Sequence, residues 1–193
     1  MDDLFDFENN VTFEMLNPEI HERNNFECGI LELNTYIMKY ANQQQTKNLN
    51  KVYVATSKTQ TIPKSIFGYY TLSSNSLSFA SFPDGILKNI PQEYPIPTIK
   101  IGRLARDMNT TPRGFGNVIL GDALFRALKF SKELGVLAVD VDAKNNKAKE
   151  FYKRNEFIPL RDQPAVLIIP IKTLAKVFLN KNVRPEKQEI IYS

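Results

Sequence analysis

Residues 101–120, which read IGRLARDMNTTPRGFGNVIL, carry the residue types of an anion-binding turn. The run from 97 to 105 alternates like a β-strand, and the stretch that follows Gly116 has the apolar spacing of a helix. At the start of such a helix, backbone N–H groups lack helical acceptors and the helix dipole favours negative charge. Arg113, beside Gly114, can add a charge-assisted contact to a phosphate.

The alternative interpretation of this glycine pair is a tight turn without a ligand. The dinucleotide-binding pattern G-x-G-x-x-G fits poorly, because it requires glycine or alanine where Ile119 stands. A P-loop is excluded because no Gly-Lys-Ser or Gly-Lys-Thr follows.

Thiol and metal chemistry have little support in the composition. The chain has one cysteine, Cys28, and one histidine, His21, so neither an internal disulfide nor a Cys/His metal cluster can form. We therefore expect no metal site and interpret Cys28 as a small buried side chain. A catalytic Cys28–His21 pair is the alternative.

The length of 193 residues and the 24% charged content predict one globular domain with a sizeable core. No apolar run reaches the roughly 18 residues of a membrane span. The N-terminus begins with two aspartates after Met1, unlike a signal peptide, so we expect a cytoplasmic protein.

Charge is unevenly distributed along the chain. Residues 1–32 contain nine Asp or Glu and one Arg, a net charge of −8, which leaves +12 for residues 33–193 because the whole chain carries +4. A basic body attracts nucleic acid or cofactor phosphates. The alternative is that these cations merely solvate helix faces.

Apolar periodicity predicts alternating strands and helices. The predicted strands are Val11–Met15, Lys51–Ser57, 65–79, 97–105, 136–141 and 165–171, and 65–79 is either one long strand or two strands broken near Ser74-Asn75. The predicted helices are 27–45, 117–134, 145–155 and 172–180, with Gly135 ending the second and a short helix at 85–89 inside a proline-rich loop. This order predicts an α/β layered domain with a mixed sheet, whose ligand site lies at the carboxyl ends of adjacent strands.

Two segments, LARD…RGFG and DAKNNKAKEFYKRNEF, resemble the GCN5-related N-acetyltransferases, the GNAT family. In that family a turn of the form [Arg/Gln]-x-x-G-x-[Gly/Ala] follows the central strand and binds the pyrophosphate of coenzyme A. The family's later N-x-x-A-x-x-F-Y pattern stands here as Asn145, Ala148, Phe151 and Tyr152.

A narrower resemblance is to the GNAT toxins of bacterial toxin–antitoxin pairs. It is carried, in the family's order, by FECG with Leu33, GYYTLSS, IGRLARD, GDALFRAL and FYKRNEFIPL. The resemblance implies an α+β GNAT domain over residues 19–180, with a mixed, mostly antiparallel central sheet flanked by helices. An acidic extension (1–18) and a polar tail (181–193) would flank it.

The resemblance implies acetyl-CoA as cofactor and assigns residues to it. Backbone groups of Leu104, Ala105 and Arg106 would meet the pantetheine and the acetyl carbonyl. Asn145 and Phe151 would contact the cofactor, although core packing is the alternative for Phe151. Backbone amides of the turn would bind the pyrophosphate, namely those of Arg113, Gly114, Phe115, Gly116 and Asn117.

Tyr152 would be the general acid that protonates the coenzyme A thiolate, since a phenol with a pKa near 10 is a suitable donor at neutral pH. Taken alone, such a tyrosine is equally a core aromatic residue with its hydroxyl at the surface. No general base is identified. Glu32, Asp107 and Asp142 are candidates by residue type only, and water could suffice for an amine of low pKa.

Two departures from the family pattern affect this assignment. Thr111 stands where the turn's leading Arg or Gln is expected, so a side-chain contact to the pyrophosphate is either absent or made by Arg113. Glu156 replaces a glycine of the closing F-Y-x-x-x-G-F, where glycine serves as a left-handed helix cap.

The candidate tRNA contacts are Arg103, Lys144 and Lys147. Strand alternation places Arg103 and Arg106 on opposite faces, so that one could meet the acceptor end of tRNA. A solvated helix face is the alternative for the lysines.

The resemblance implies a toxin that acetylates the α-amine of aminoacyl-tRNA and blocks translation. A ribbon-helix-helix antitoxin and a homodimer are implied with it. The alternatives are a GNAT that acetylates a small-molecule or protein amine, and a non-catalytic GNAT-fold module that binds nucleic acid.

Overall fold

The computed structural model describes residues 10–180, and its main feature is a mixed seven-stranded sheet. Across the sheet the order is β1 (Val11–Met15), β3 (Lys51–Ser57), β5 (Gly68–Leu77), β6 (Ile96–Arg106), β7 (Ala138–Asp142), β9 (Val166–Pro170) and β8 (Ile158–Pro159). All neighbours are antiparallel except β6 and β7, which are parallel. The short strands β2 (His21–Glu22) and β4 (Lys64–Ser65) form a separate parallel pair. The predicted fold class is confirmed.

Helices cover both faces of the sheet. The helices are α1 (Leu31–Thr35), a π-helical turn (Tyr36–Tyr40), α2 (Ala41–Thr46), α3 (Phe115–Phe130), α4 (Asn146–Arg154) and α5 (Ile171–Asn180), with a 3-10 turn at Phe79–Ser81. Within residues 10–180, no helix is long and apolar enough to cross a membrane.

The two sheet faces follow from strand alternation in β6. Ile99 and Ile101 pack in the core cluster that contains Leu120 of α3, and we call this side the α3 face. Ala105, beyond an irregularity in the strand, packs with Ile37 of the π-helical turn on the opposite side, which we call the α1 face. The central strand is therefore buried on both faces, as its apolar content predicts.

The central strand β6 extends beyond the end of its parallel neighbour β7. β6 pairs with β7 only from Thr98 to Ile101, although β6 continues to Arg106. Pairing stops because β7 ends at Asp142, one residue after its last pair, while β6 continues beyond a β-bulge where Leu72 and Thr71 of β5 pair with Ile101 and Arg103 and the residue between them is unpaired. Bulges increase local twist and bend the strand. The β7-facing edge of residues 102–106 thus has no strand partner in the described part of the chain.

Several predicted boundaries require correction. The helix predicted at 117–134 begins two residues earlier, because Gly114 has a φ of +95° and buried Phe115 starts the helix. It ends at Phe130, and Gly135 is not among the residues with positive φ, so it is not the helix stop. The helix predicted at 27–45 begins at Leu31, because Gly29 has a φ of +79°, which is incompatible with a right-handed helix.

Two further predictions differ from the structure. Residues 85–89 form turns and no helix. The segment 65–79 divides into β4 and β5. By contrast, β1 and β3 have the predicted bounds. β1 lies inside the predicted extension 1–18 and is an edge strand of the sheet, while residues 1–9 and the tail 181–193 lie outside the described residues.

Candidate active site

The glycine turn lies where β6 ends and α3 begins. Gly114 adopts a left-handed φ of +95° that favours glycine, and its carbonyl accepts the N–H of Asn117 at 2.9 Å. The N–H of Phe115 donates to the carbonyl of Pro112 at 3.3 Å. Among the described residues, the N–H groups of Arg113, Gly114 and Gly116 have no such backbone acceptor. The geometry therefore suits anion binding by three of the five amides that the sequence proposed.

Thr111 is turned into the loop rather than toward the turn. Its side chain is buried, and its Oγ1 donates to the carbonyl of Asp107. The guanidinium of Arg106 donates to the Thr111 carbonyl at 3.1 Å and to its Oγ1 at 3.2 Å. Arg106 therefore shapes this loop with its side chain, and only its backbone remains for the predicted cofactor contact.

Because β6 extends past the end of β7, an open strand edge lies before the glycine turn, and we call the space beside this edge the slot. Leu104 is half-buried against the α3-face core, whereas Ala105 is buried in the α1-face cluster. Since this part of β6 pairs only with β5, its other edge presents free backbone donors and acceptors to the slot. An extended chain with amide groups can pair with such an edge.

Tyr152 lies on α4, the helix that packs against the glycine turn. Its side chain is 8% exposed and its ring contacts those of Phe151 and Phe157, with centroid distances of 5.2 Å and 5.4 Å. Burial raises the pKa of Tyr152 to about 12, which corrects the expectation of an unperturbed phenol. The hydroxyl makes no hydrogen bond to another described residue, yet no buried polar side-chain atom there lacks a partner, so the oxygen reaches solvent. The side chain therefore offers a proton at every physiological pH.

The start of α4 is fixed by Asn145. Its Oδ1 accepts the N–H of Ala148 at 2.9 Å, which is a standard N-cap interaction. This oxygen is therefore engaged in the helix cap, and the exposed amide nitrogen is the part of Asn145 left for the predicted cofactor contact.

Two contacts join α4 to the glycine turn. The ring of Phe151 lies against Gly116, since a Cβ placed on that glycine would be 3.7 Å from the ring. Asn155 donates from Nδ2 to Asn117 Oδ1 at 3.2 Å and to the Phe151 carbonyl at 2.9 Å. The structure thereby packs α4, the helix that carries Tyr152, against the glycine turn. Asn155 carried no signal in the sequence, because a polar residue near a helix end is common.

Asp107 has a structural role in this structure. The buried carboxylate accepts the N–H groups of Glu27 at 2.8 Å, and of Asn109 and Thr110 at 2.9 Å each. It also accepts the Thr110 hydroxyl. With both oxygens engaged in these hydrogen bonds, Asp107 is a poor candidate for the general base. Instead it ties the loop before α1 to the loop that leads into the glycine turn.

The remaining base candidates differ in environment. Glu32 lies exposed in the first turn of α1, and Asp142 ends β7 and forms an ion pair with Lys100 at 2.8 Å. Cys28 and His21 do not form a pair: the Cys28 thiol donates to Asn34 Oδ1 at 3.0 Å, and burial raises its pKa. Both nitrogens of buried His21 are also engaged elsewhere. The catalytic Cys–His alternative is wrong.

The candidate tRNA contacts come from β6 and from the residues around the start of α4. Arg103 is on the α1 face, with its guanidinium carbon 3.7 Å from the ring centroid of Tyr36 in a cation–π contact. Arg106 contacts the loop on the other side, as alternation predicts. Lys144 and Lys147 are exposed near the start of α4, and neither forms an ion pair with a described residue.

The described residues offer no metal site, and two surface cavities lie away from the predicted site residues. No group of three or more His, Cys, Asp or Glu side chains within residues 10–180 could hold a metal ion. Two surface cavities of about 410 Å³ and 560 Å³ lie at the opposite end of the sheet, around the start of β6 and residues 135–137. Their linings are mainly apolar and contain none of the predicted site residues.

Known proteins of similar sequence are named as toxins. The chain is 29% identical over 168 residues to a probable toxin TacT of Sinorhizobium fredii, covering 83% of this chain and 91% of the relative. It is 28% identical over 147 residues to a tRNA-acetylating toxin of Mycobacterium tuberculosis, covering 76% of this chain and 84% of the relative. The resemblance to the GNAT toxins is confirmed. No family model matches the chain.

Solved structures of a third relative, AtaT, share the fold. AtaT complexed with acetyl-methionyl-tRNAfMet superposes with a TM-score of 0.80 and 28% identity, covering 88% of this chain and 99% of that one. A tyrosine-to-phenylalanine variant of AtaT, bound to acetyl-CoA and the C-terminus of the antitoxin AtaR, superposes with a TM-score of 0.73 and 26% identity over the same shares. The GNAT-toxin fold thus covers most of the described residues.

Proposed function

We propose that this protein is an acetyl-CoA-dependent N-acetyltransferase toxin that acetylates the α-amine of aminoacyl-tRNA and so blocks translation. The observation that carries the proposal is the packing of α4, which bears Tyr152, against the glycine turn that follows the unpaired edge of β6. The tRNA-acetylating relatives, which match over most of the chain, support the same reaction.

In this proposal the turn binds the pyrophosphate of coenzyme A. The N–H groups of Arg113, Gly114 and Gly116 have no backbone acceptor among the described residues and lie at the start of α3, where the helix dipole adds favourable potential. Arg113 is exposed and forms no ion pair with a described residue, so its guanidinium is available to a phosphate and can substitute for the Arg or Gln that Thr111 replaces. The pantetheine amides pair with the edge of β6 at residues 104–106.

The chemistry needs few protein groups. Acetyl-CoA supplies a thioester whose carbonyl carbon forms a C–N bond with the neutral amine while the C–S bond breaks. A backbone N–H on the β6 edge stabilises the negative charge that develops on the carbonyl oxygen. Tyr152 donates its proton to the departing sulfur and regains one from solvent, and the amine releases a proton. Holding the amine and the carbonyl together contributes much of the acceleration.

Aminoacyl-tRNA is the acceptor that fits the charge distribution. The net charge of +12 beyond residue 32 attracts the phosphate backbone, and Arg103, Lys144 and Lys147 stand beside the slot as phosphate contacts. The α-amine of an aminoacyl ester has a lowered pKa, so a useful fraction is neutral at pH 7. Charged tRNA occurs in the cytoplasm, and we propose that the protein acts there.

We further propose that an antitoxin neutralises the enzyme, as AtaR binds AtaT. A ribbon-helix-helix architecture for that antitoxin, and a homodimer for the toxin, are expected from the resemblance to this toxin class. Size-exclusion chromatography with light scattering tests the dimer directly.

The deciding experiment is acetyl transfer from radiolabelled acetyl-CoA to total aminoacylated tRNA. Wild type is expected to label charged tRNA but not deacylated tRNA. Tyr152→Phe is expected to lower the rate about 100-fold or more, the usual worth of a general acid. Tyr94→Phe, at a tyrosine that is 65% exposed and remote from the slot, is the matched control and should retain full activity.

Each negative result of this assay favours one of the alternative functions. Coenzyme A binding without label on tRNA would favour a small-molecule or protein amine as acceptor. Binding of tRNA with no affinity for coenzyme A would favour a non-catalytic nucleic-acid-binding module.

A further inference from the structure

The acceptor amine has one open route to the slot. The α3 face is filled by the core that contains Phe115 and Tyr152, both of which are buried there. We therefore expect the amine to arrive from the α1 face, where β6 extends past the end of β7. Two charged side chains flank the slot on that face, Arg103 from β6 and Asp142 from β7.

Strand alternation and contacts place Asp142 on the α1 face. Val139 and Val141 of β7 point into the α3-face core, so Asp140 and Asp142 point the other way. Both carboxylates contact Lys100 of β6, which confirms this direction. Val141 is the last residue of β7 that pairs with β6, so Asp142 stands at the point where the slot opens.

Lys100 and the buried Asp140 hold Asp142 in place. Lys100 Nζ lies 2.8 Å from Asp142 Oδ2 and 3.2 Å from Oδ2 of Asp140, which is fully buried. Asp140 also accepts the Thr98 hydroxyl at 2.6 Å and the Asn75 amide at 3.0 Å. Lys100 is thereby fixed between the strands, and it fixes one oxygen of Asp142 in turn.

The second oxygen of Asp142 is available to a ligand. Oδ1 has no hydrogen-bond or ion-pair partner among the described residues, and the side chain is 47% exposed. A carboxylate with one anchored and one open oxygen at the mouth of a slot is suited to accept hydrogen bonds from an ammonium group. Arg103, stacked on Tyr36 and without a carboxylate partner in the described chain, offers the complementary cation for a phosphate.

We propose that Asp142 is the catalytic residue that binds the α-ammonium group of the aminoacyl acceptor at the slot, where β6 extends past the end of β7. This inference rests on the proposed function and gives an acceptor-binding role to a residue that the sequence offered only as a base candidate by residue type. The ammonium group gives one proton to Asp142 Oδ1, which passes it to water. The nitrogen lone pair of the resulting neutral amine then forms the C–N bond with the thioester carbonyl carbon. The second amine proton leaves after the C–S bond has broken, so the sum is amide, thiol and one released proton.

The test compares binding of two forms of one tRNA in the presence of coenzyme A, so that no reaction occurs. The forms are the charged tRNA that acquires label in the transfer assay and the same tRNA after chemical N-acetylation, which removes the positive charge. Wild type should bind the charged form about fivefold more tightly, a value typical of a partly exposed ion pair. Asp142→Asn should bind both forms equally and raise KM for the charged tRNA by a similar factor.

Asp84→Asn is the matched control, because Asp84 is also a surface carboxylate with one ion-pair partner, Arg161, but lies on the loop before β6. It should keep the wild-type preference. If wild type labels tRNA and Asp142→Asn still prefers the charged form, the assignment of Asp142 is overturned while the proposed function stands. If wild type labels no tRNA, the proposed function itself fails, and the assignment fails with it.

Discussion

The N–H of Phe157 donates to the carbonyl oxygen of Tyr152 at 3.2 Å, and this bond closes the end of α4. The N–H of Glu156 donates to the carbonyl of Lys153 at 3.1 Å. These two bonds, with the ring contact between Phe157 and Tyr152, constitute a Schellman motif. The residue that carries the proposed catalytic hydroxyl is thus also part of the helix stop that fixes its position.

Glu156 occupies the left-handed position of this motif with a φ of +66°. A side chain in that conformation is strained by about 1 kcal/mol relative to glycine, which is the residue that the family has there. We expect Glu156→Gly to raise the free energy of unfolding by about 0.5–1 kcal/mol, measured by urea denaturation. The rate of acetyl transfer should stay within about twofold of wild type.

Glu150→Gly is the control for that substitution, since Glu150 lies exposed in the interior of the same helix. There glycine should lower the free energy of unfolding by about 1 kcal/mol. Equal destabilisation by both substitutions would contradict the strain that we assign to Glu156.

Removing the Asp107 carboxylate should destabilise the protein. Asp107→Ala leaves the N–H groups of Glu27, Asn109 and Thr110 without their acceptor, and we expect the free energy of unfolding to fall by about 2–4 kcal/mol. Coenzyme A binding, measured by calorimetry, should weaken as well, because the loop that leads into the glycine turn loses its anchor.

Asp107→Asn separates this role from base catalysis. The amide keeps one acceptor oxygen, so the loss of stability should be about half that of the alanine variant. A general base would behave differently: its asparagine variant would retain stability but lose the ascending limb of the pH–rate profile. That outcome would restore Asp107 as a base candidate.

The pKa of Tyr152 sets the alkaline limit of activity. Because burial favours the neutral phenol, the folded pKa of about 12 exceeds the ordinary value near 10, and the proton is retained between these values in the native state. We expect kcat, measured with both substrates saturating, to show no descending limb below about pH 11. A limb centred near pH 10 that disappears in Tyr152→Phe would show that the phenol is not desolvated.

The same shift links Tyr152 to stability at high pH. A raised pKa contributes stability that is fully present below pH 10 and is lost as the pH rises through 12. The free energy of unfolding of wild type should therefore fall more steeply than that of Tyr152→Phe between pH 10 and 11.

Local chemistry accounts for the parts of the fold that were predictable. The strands Val11–Met15 and Lys51–Ser57 have the predicted bounds because alternating β-branched and aromatic residues bury one or both faces of a strand. Helix ends were less predictable. Gly29 and Gly114 both adopt positive φ, but whether a glycine ends a helix, begins one or precedes one depends on what packs beyond it.

The sequence by itself determined the chain's α/β class, the glycine turn before α3 and the spacing that puts Tyr152 on α4, because each follows from contacts within a few residues. Only the tertiary structure decided which polar groups remain available. Three loop N–H groups donate to the Asp107 carboxylate, and the Arg106 guanidinium donates to Thr111. Lys100 forms an ion pair with one oxygen of Asp142. Arg103 stacks on Tyr36 and forms no ion pair with a described carboxylate. These outcomes depend on contacts between residues far apart in the chain, such as Glu27 with Asp107 and Lys100 with Asp142. Residue type alone does not predict such contacts.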